Sequence, residues 1–124
     1  MSYKNLEVWK LAREVVIDIH QMTLKLPKFE LYEEGAQIRK SSKNVKSTIA
    51  EGYGRRIYKA EYLKFLVYAL ASNDETRDHL ENLYETKSLT DNVVYNSLHE
   101  KIDRLGRRLH DFYLGVEKNH EARL

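Results

Sequence analysis

From Tyr62 onward, the residues Tyr62, Leu66, Ala69, Asn73, Thr76, Leu80 and Leu83 follow one another at spacings of four and three. A repeat of that period lays a single stripe along an α-helix and suits packing inside a left-handed helical bundle. The same spacing returns in Leu98, Ile102, Leu105, Leu109, Phe112 and Val116, and upstream in Ile38, Ser42, Val45, Ile49 and Gly52. Five Gly and one Pro in 124 residues leave few places where such a chain can turn. Those places are Pro27, the Gly52/Gly54 pair and the stretch from Ser88 to Asp91. They delimit helices over 6–25, 33–53, 59–87 and 90–117 within one domain, 1–124. The predicted fold is all-α: an antiparallel up-down-up-down four-helix bundle. No alternating strand pattern and no fixed-period repeat competes with it.

Local signals refine this picture. Asn5 is the expected N-cap of the first helix, and Thr90 with Asp91 caps the fourth. Phe29, Leu31 and Tyr32 give the first connector an apolar load that predicts it packs down. The first helix carries two adjacent stripes: Trp9, Ala12, Val16, Ile19 and Thr23, beside Val8, Leu11, Val15 and Met22. That width exceeds what a surface helix needs and predicts self-association. Ser41, Ser42, Ser47, Ala50 and Gly52 predict a close approach to a neighbouring helix, although small residues serve packing as readily as a site. Asn73 and Thr76 break the third stripe with polar groups, as an internal hydrogen-bonding site that sets register would. The tail from Lys118 is expected to fray.

The first residues lack an apolar signal-peptide core. The longest apolar run, Phe65 to Ala71, is seven residues, against about 20 for a membrane span. With no Cys there is no disulfide and no cysteine-ligated metal. These features predict a cytoplasmic protein with no membrane partner.

The net charge of +2 conceals a partition. Residues 39–64 hold eight basic and two acidic side chains, net +6, and residues 73–103 hold three basic and eight acidic, net −5. Arg39, Lys43 and Lys46, at i, i+4 and i+7, share one side of the second helix, with Lys40 beside them. Arg55, Arg56 and Lys59 crowd the following turn, and Lys101, Arg104 and Arg108 form a stripe on the fourth helix. Such patches attract phosphate backbones. Equally, complementary basic and acidic faces can meet across the bundle surface or within an oligomer.

Catalytic patterns are missing. There is no phosphate-binding loop, and Gly52-Tyr53-Gly54 reads as a helix stop. A bundle di-iron centre needs two E-x-x-H pairs; the one match, Glu117 to His120, lies in the tail. Glu51 and Glu61 flank the glycine turn and read as anchors for Arg39 or Arg55 rather than as acid–base groups. Glu51 stands about 18 Å along the same helix from Arg39, which leaves Glu61, or a carboxylate of another subunit, as the expected Arg39 partner. The sequence therefore assigns no catalytic residue, no metal and no cofactor.

Several segments together carry a resemblance: Leu6-Glu7-Val8-Trp9-Lys10, Pro27, Gln37-Ile38-Arg39-Lys40-Ser41, Ile49-Ala50-Glu51-Gly52-Tyr53-Gly54-Arg55, Glu61 to Leu66, and Ala69 to Ser72. In that order, over residues 3–115, the chain resembles the four-helix bundle family of 23S ribosomal RNA intervening-sequence proteins, once labelled S23 ribosomal proteins. It is also similar to the accessory variability protein of diversity-generating retroelements. The matching motif residues are Trp9, Gln37, Arg39, Ile49, Ala50, Glu51, Gly52, Gly54 and Arg55. Thr48 stands where the family usually has Asn, Ala71 where it has Gly, and Ile57-Tyr58 where Ser is common after the turn. The resemblance implies an antiparallel bundle assembled into a ring-like homopentamer, mostly of unknown function. Its retroelement relatives bind nucleic acid and a reverse transcriptase. Carried onto this chain, the implied basic surface is Arg39, Lys40, Lys43, Lys46, Arg55 and Arg56.

The leading expectation is a non-enzymatic oligomer that binds RNA or DNA non-specifically through this surface. The alternative is a protein-interaction scaffold, or a reverse-transcriptase accessory subunit with no direct nucleic-acid contact.

Overall fold

The computed structural model describes residues 2–119. Four α-helices fill it: α1 (Glu7–Thr23), α2 (Glu34–Gly54), α3 (Lys59–Glu85) and α4 (Asn92–Asn119). Short 3₁₀ turns at Tyr3–Asn5 and Lys28–Leu31 precede α1 and α2, and the described residues contain no strand. Successive helices pack on one another, and α1 closes against α4. Ser41 of α2 meets Thr76 of α3, Asn44 meets Ser72, and Gly52 meets Phe65, so these two helices run in opposite directions.

The stripes fill the core. On α3, Tyr62, Leu66, Ala69, Asn73, Thr76, Leu80 and Leu83 are all buried. Ile38, Ser42, Val45, Ile49 and Gly52 are buried on α2. Leu98, Ile102, Leu105, Leu109 and Val116 are buried on α4, with Phe112 packed at the margin. The polar interruptions are internal hydrogen bonds. Ser41 Oγ and Thr76 Oγ1 are 2.8 Å apart, and Asn73 Nδ2 donates to the Ile102 carbonyl at 3.0 Å. Small residues bring α2 and α3 together as expected: a Cβ at Gly52 would stand 3.0 Å from Phe65 Cβ.

Several local expectations are corrected. Ser2, not Asn5, supplies the first side-chain cap, accepting from the Lys4 N–H, because the chain makes a 3₁₀ turn before α1 begins. The α1 N-cap position falls to Leu6, which has no capping side chain. At α4, Asp91 is the cap, and its Oδ1 accepts from the N–H groups of Val93 and Val94. The first connector does not bury its aromatics. Phe29 and Tyr32 are exposed, while Leu26 and Glu30 turn inward. Glu30 is held there by the Ser88 hydroxyl and the Glu34 N–H. The α3 helix stops at Glu85 because Lys87 adopts a left-handed φ of 66°, which ends helices at the position after the C-cap. Lys118 and Asn119, the first two residues of the tail expected to fray, belong to α4, and the rest of that tail, with His120 of the E-x-x-H match, lies outside the described residues.

Candidate nucleic-acid interface

The six basic candidates divide into two groups by what they touch. Arg39 turns inward. Its Nη2 donates to the Leu31 carbonyl at 2.6 Å, so it ties α2 to the preceding 3₁₀ turn. Its Nη1 is buried, 3.3 Å from where a Cβ would sit on Gly35. Arg39 thus bonds a backbone carbonyl, and among the described residues Glu61 is not its partner. Arg55 takes that carboxylate, with Nη1 3.2 Å from Glu61 Oε1, while Lys64 holds the other oxygen at 3.0 Å. Lys64 foremost, with help from Arg55, holds the Glu61 carboxyl below the usual glutamate range. The Arg55 guanidinium lies 4.6 Å from the Phe65 ring centroid, and that of Arg56 lies 4.0 Å from the Tyr53 ring.

Lys40, Lys43 and Lys46 behave differently. They line an open groove of about 620 Å³ with Gln37, Asn44 and Ser47. Among the described residues no carboxylate pairs with any of the three. Lys46 rests 5.5 Å over the Trp9 ring, which meets Tyr3 edge-on at 5.4 Å. Trp9 thus sits at the core margin supporting a lysine. Glu75 is the acidic side chain at the groove wall.

Two of the three cations of the basic stripe on α4 are neutralised, and among the described residues Arg104 has no ion pair. Lys101 pairs with Asp18 and lies 3.8 Å from Glu14, and Arg108 pairs with Glu7, all on α1. The Asp18 hydrogen bond keeps the Lys101 ammonium protonated above the ordinary lysine range. Across this seam, complementary faces meet within one chain. Among the described residues the α2 lysines have no such counterpart.

The motif residues Ile49 and Gly52 are buried, Gln37 and Glu51 are exposed, and Gly54 has open space around it. Two polar clusters were not foreseen from the sequence. His79 lies 2.7 Å from Glu34 and 3.4 Å from Glu75, and His99 lies 2.8 Å from Glu81 and 3.3 Å from Asp103. They tie α3 to α2 and α4. Their sequence signal is the i, i+4 spacing of Glu75–His79 and His99–Asp103. Among the described residues no group of three or more His, Cys, Asp or Glu could hold a metal ion, and no helix is long and apolar enough to cross a membrane.

The geometry is thus a four-helix bundle whose α2 carries lysines with no carboxylate partner among the described residues, and comparison with known proteins gives it relatives. No curated protein shows a significant sequence match to the chain. A solved structure from Bacteroides thetaiotaomicron VPI-5482, a protein of unknown function from the S23 ribosomal protein family, superposes with a TM-score of 0.76. It shares 20% identity, over 86% of this chain and 95% of that one. That likeness concerns the fold. The family model for the 23S rRNA-intervening sequence protein matches residues 4–111. With nearly its whole length covered by that model, the chain belongs to the 23S rRNA-intervening sequence protein family.

Proposed function

We propose that this chain is a non-enzymatic subunit of a cytoplasmic, ring-like homo-oligomer of up-down-up-down bundles, and that it binds RNA or DNA non-specifically through the α2 lysine face. The observation that carries the reading is the contrast between cations. Lys101 and Arg108 of α4 are paired with α1 carboxylates, whereas Lys40, Lys43 and Lys46 line one groove with no carboxylate partner among the described residues. Unpaired lysines on one helix face are what a phosphate backbone recruits, through release of its counterions. Arg55 and Arg56 follow the end of α2, each lying over an aromatic ring, and Arg55 is also paired with Glu61. Arg39 drops out of the contact set because its Nη2 donates to the Leu31 carbonyl and its Nη1 is buried. The homopentamer number rests on the family resemblance, and in a ring each modest patch would be multiplied.

The test is binding of the full chain to a structured RNA at low salt, for the wild type and for Lys43→Glu/Lys46→Glu. The reading expects wild-type binding and at least a tenfold loss in the double variant. Equal affinity for both proteins would contradict it. The second reading, an interaction scaffold or reverse-transcriptase accessory subunit, draws on the exposed Phe29 and Tyr32 at the α1–α2 connector. It expects their replacement by Ser to abolish protein capture with nucleic-acid binding absent throughout.

A further inference from the structure

One half-exposed aromatic side chain of α3 has no structural duty beyond a contact with a neighbouring ring. Tyr68 is 47% exposed on α3. Its ring meets Phe65 edge-on at 5.6 Å, and among the described residues its hydroxyl makes no hydrogen bond. Phe65 in turn carries Arg55 at 4.6 Å and Lys64 at 6.0 Å. Both cations share the single carboxylate of Glu61, so this group of three keeps one positive charge in excess.

The position of Tyr68 follows from its neighbours. Phe65 packs on Gly52 of α2, and Ser72 accepts from Asn44 of α2 at 2.6 Å. Tyr68 is three residues after the first and four before the second, so it stands in the same α2–α3 seam. The span from Phe65 to Ser72 is about 10 Å. Beyond Asn44 the seam opens into the groove lined by Lys40, Lys43 and Ser47. The segment 65–72 holds no charged residue, so an exposed aromatic platform lies between the Arg55/Lys64 end and the lysine groove, whose wall also carries Glu75.

We propose that the α2–α3 seam binds single-stranded nucleic acid, with an unpaired base stacking on Tyr68 and the flanking phosphates held by Lys43 on one side and Lys64 and Arg55 on the other. Alternation of an aromatic platform with backbone-tracking cations is the arrangement that binds unpaired strands, since every base offers a π-face. A duplex keeps its base faces stacked inside and gains only the phosphate contacts. The proposal rests on the nucleic-acid reading above and adds to it the class of strand.

The experiment compares an oligothymidylate with a blunt duplex of equal length. Both are titrated at two salt concentrations against the full-length wild type, Tyr68→Ala, Tyr68→Phe and Lys43→Glu/Lys46→Glu. Tyr68→Ala is expected to weaken oligothymidylate binding by about 5- to 150-fold, with duplex affinity and the salt slope unchanged. Tyr68→Phe, which keeps the ring, retains wild-type affinity, and the lysine reversal weakens both ligands. If the lysine reversal weakens both while Tyr68→Ala changes neither, the stacking proposal falls and the basic-surface reading stands. If neither ligand binds the wild type at low salt, both fall. A lower solution mass for Tyr68→Ala, measured by light scattering, would assign this face to a second copy and overturn the proposal.

Discussion

Ser41 Oγ of α2 and Thr76 Oγ1 of α3 lie 2.8 Å apart inside a sealed helix interface. The carbonyls of Ile38 and Ser72 stand by as acceptors at 3.2 and 2.8 Å. Both side chains are buried, so this pair fixes the register of two helices at a place where apolar side chains alone would tolerate sliding. Thr76→Val leaves Ser41 the Ile38 carbonyl and should lose about 1 kcal/mol of stability. Ser41→Leu forces the helices apart and should lose about 1–3 kcal/mol. Urea denaturation followed by circular dichroism measures both.

The two glycines of the Ile49-to-Arg55 motif differ in what they do. A Cβ at Gly52 meets Phe65 Cβ at 3.0 Å, whereas one at Gly54 meets nothing within 4 Å. Gly52→Ala is expected to destabilise by about 1–3 kcal/mol through overpacking. Gly54→Ala gains helix propensity and should stabilise by up to about 1 kcal/mol. Equal effects in thermal unfolding would remove the distinction.

Gly106 and Asn73 should be coupled. A Cβ on Gly106 would approach Asn73 Nδ2 to 3.1 Å, and that nitrogen donates to the Ile102 carbonyl. Gly106→Ala should be unfavourable in the wild type yet favourable by up to about 1 kcal/mol once Asn73 is Ala. A double-mutant cycle with zero interaction energy would show that the two sites are independent.

Much of this interior was legible in advance, because a buried stripe on a long helix imposes a period that few other constraints override. Asn73 and Thr76 could be read as internal polar residues from their place in that period alone. The connectors were harder. Phe29 and Tyr32 look like core residues by composition, but a 3₁₀ turn directs Glu30 inward to Ser88 in their place. Charge counting had a similar limit. It located the basic segment correctly, but it gave no sign that Arg39 turns one nitrogen to a backbone carbonyl and buries another while Lys43 stays exposed. Long side chains choose among partners that only the folded chain brings near.

Alkaline stability should depend on Tyr62. Burial above all, with the neighbouring Tyr53 adding to it and Arg56 opposing, pushes its phenol up to about 12 from 10.0. The folded state therefore favours the protonated phenol. Its contribution is complete below pH 10 and declines as the pH rises toward 12. Tyr62→Phe should flatten the fall in stability across that window. An unchanged pH profile in urea unfolding would contradict the assignment.

Helix termination offers a gain. Lys87 holds a left-handed φ of 66° without being glycine. Lys87→Gly should relieve that strain and stabilise the chain by about 1 kcal/mol, read as a higher midpoint in urea.

The claim on which the functional account turns is that the lysine face of α2 meets phosphates. The most direct measurement is the salt dependence of binding to a structured RNA by the wild-type chain. Three unpaired lysines per chain predict binding at low salt, with log affinity falling linearly against log salt at a slope of about −2 to −3 per engaged chain. No binding at low salt, or an affinity indifferent to salt, would contradict the account.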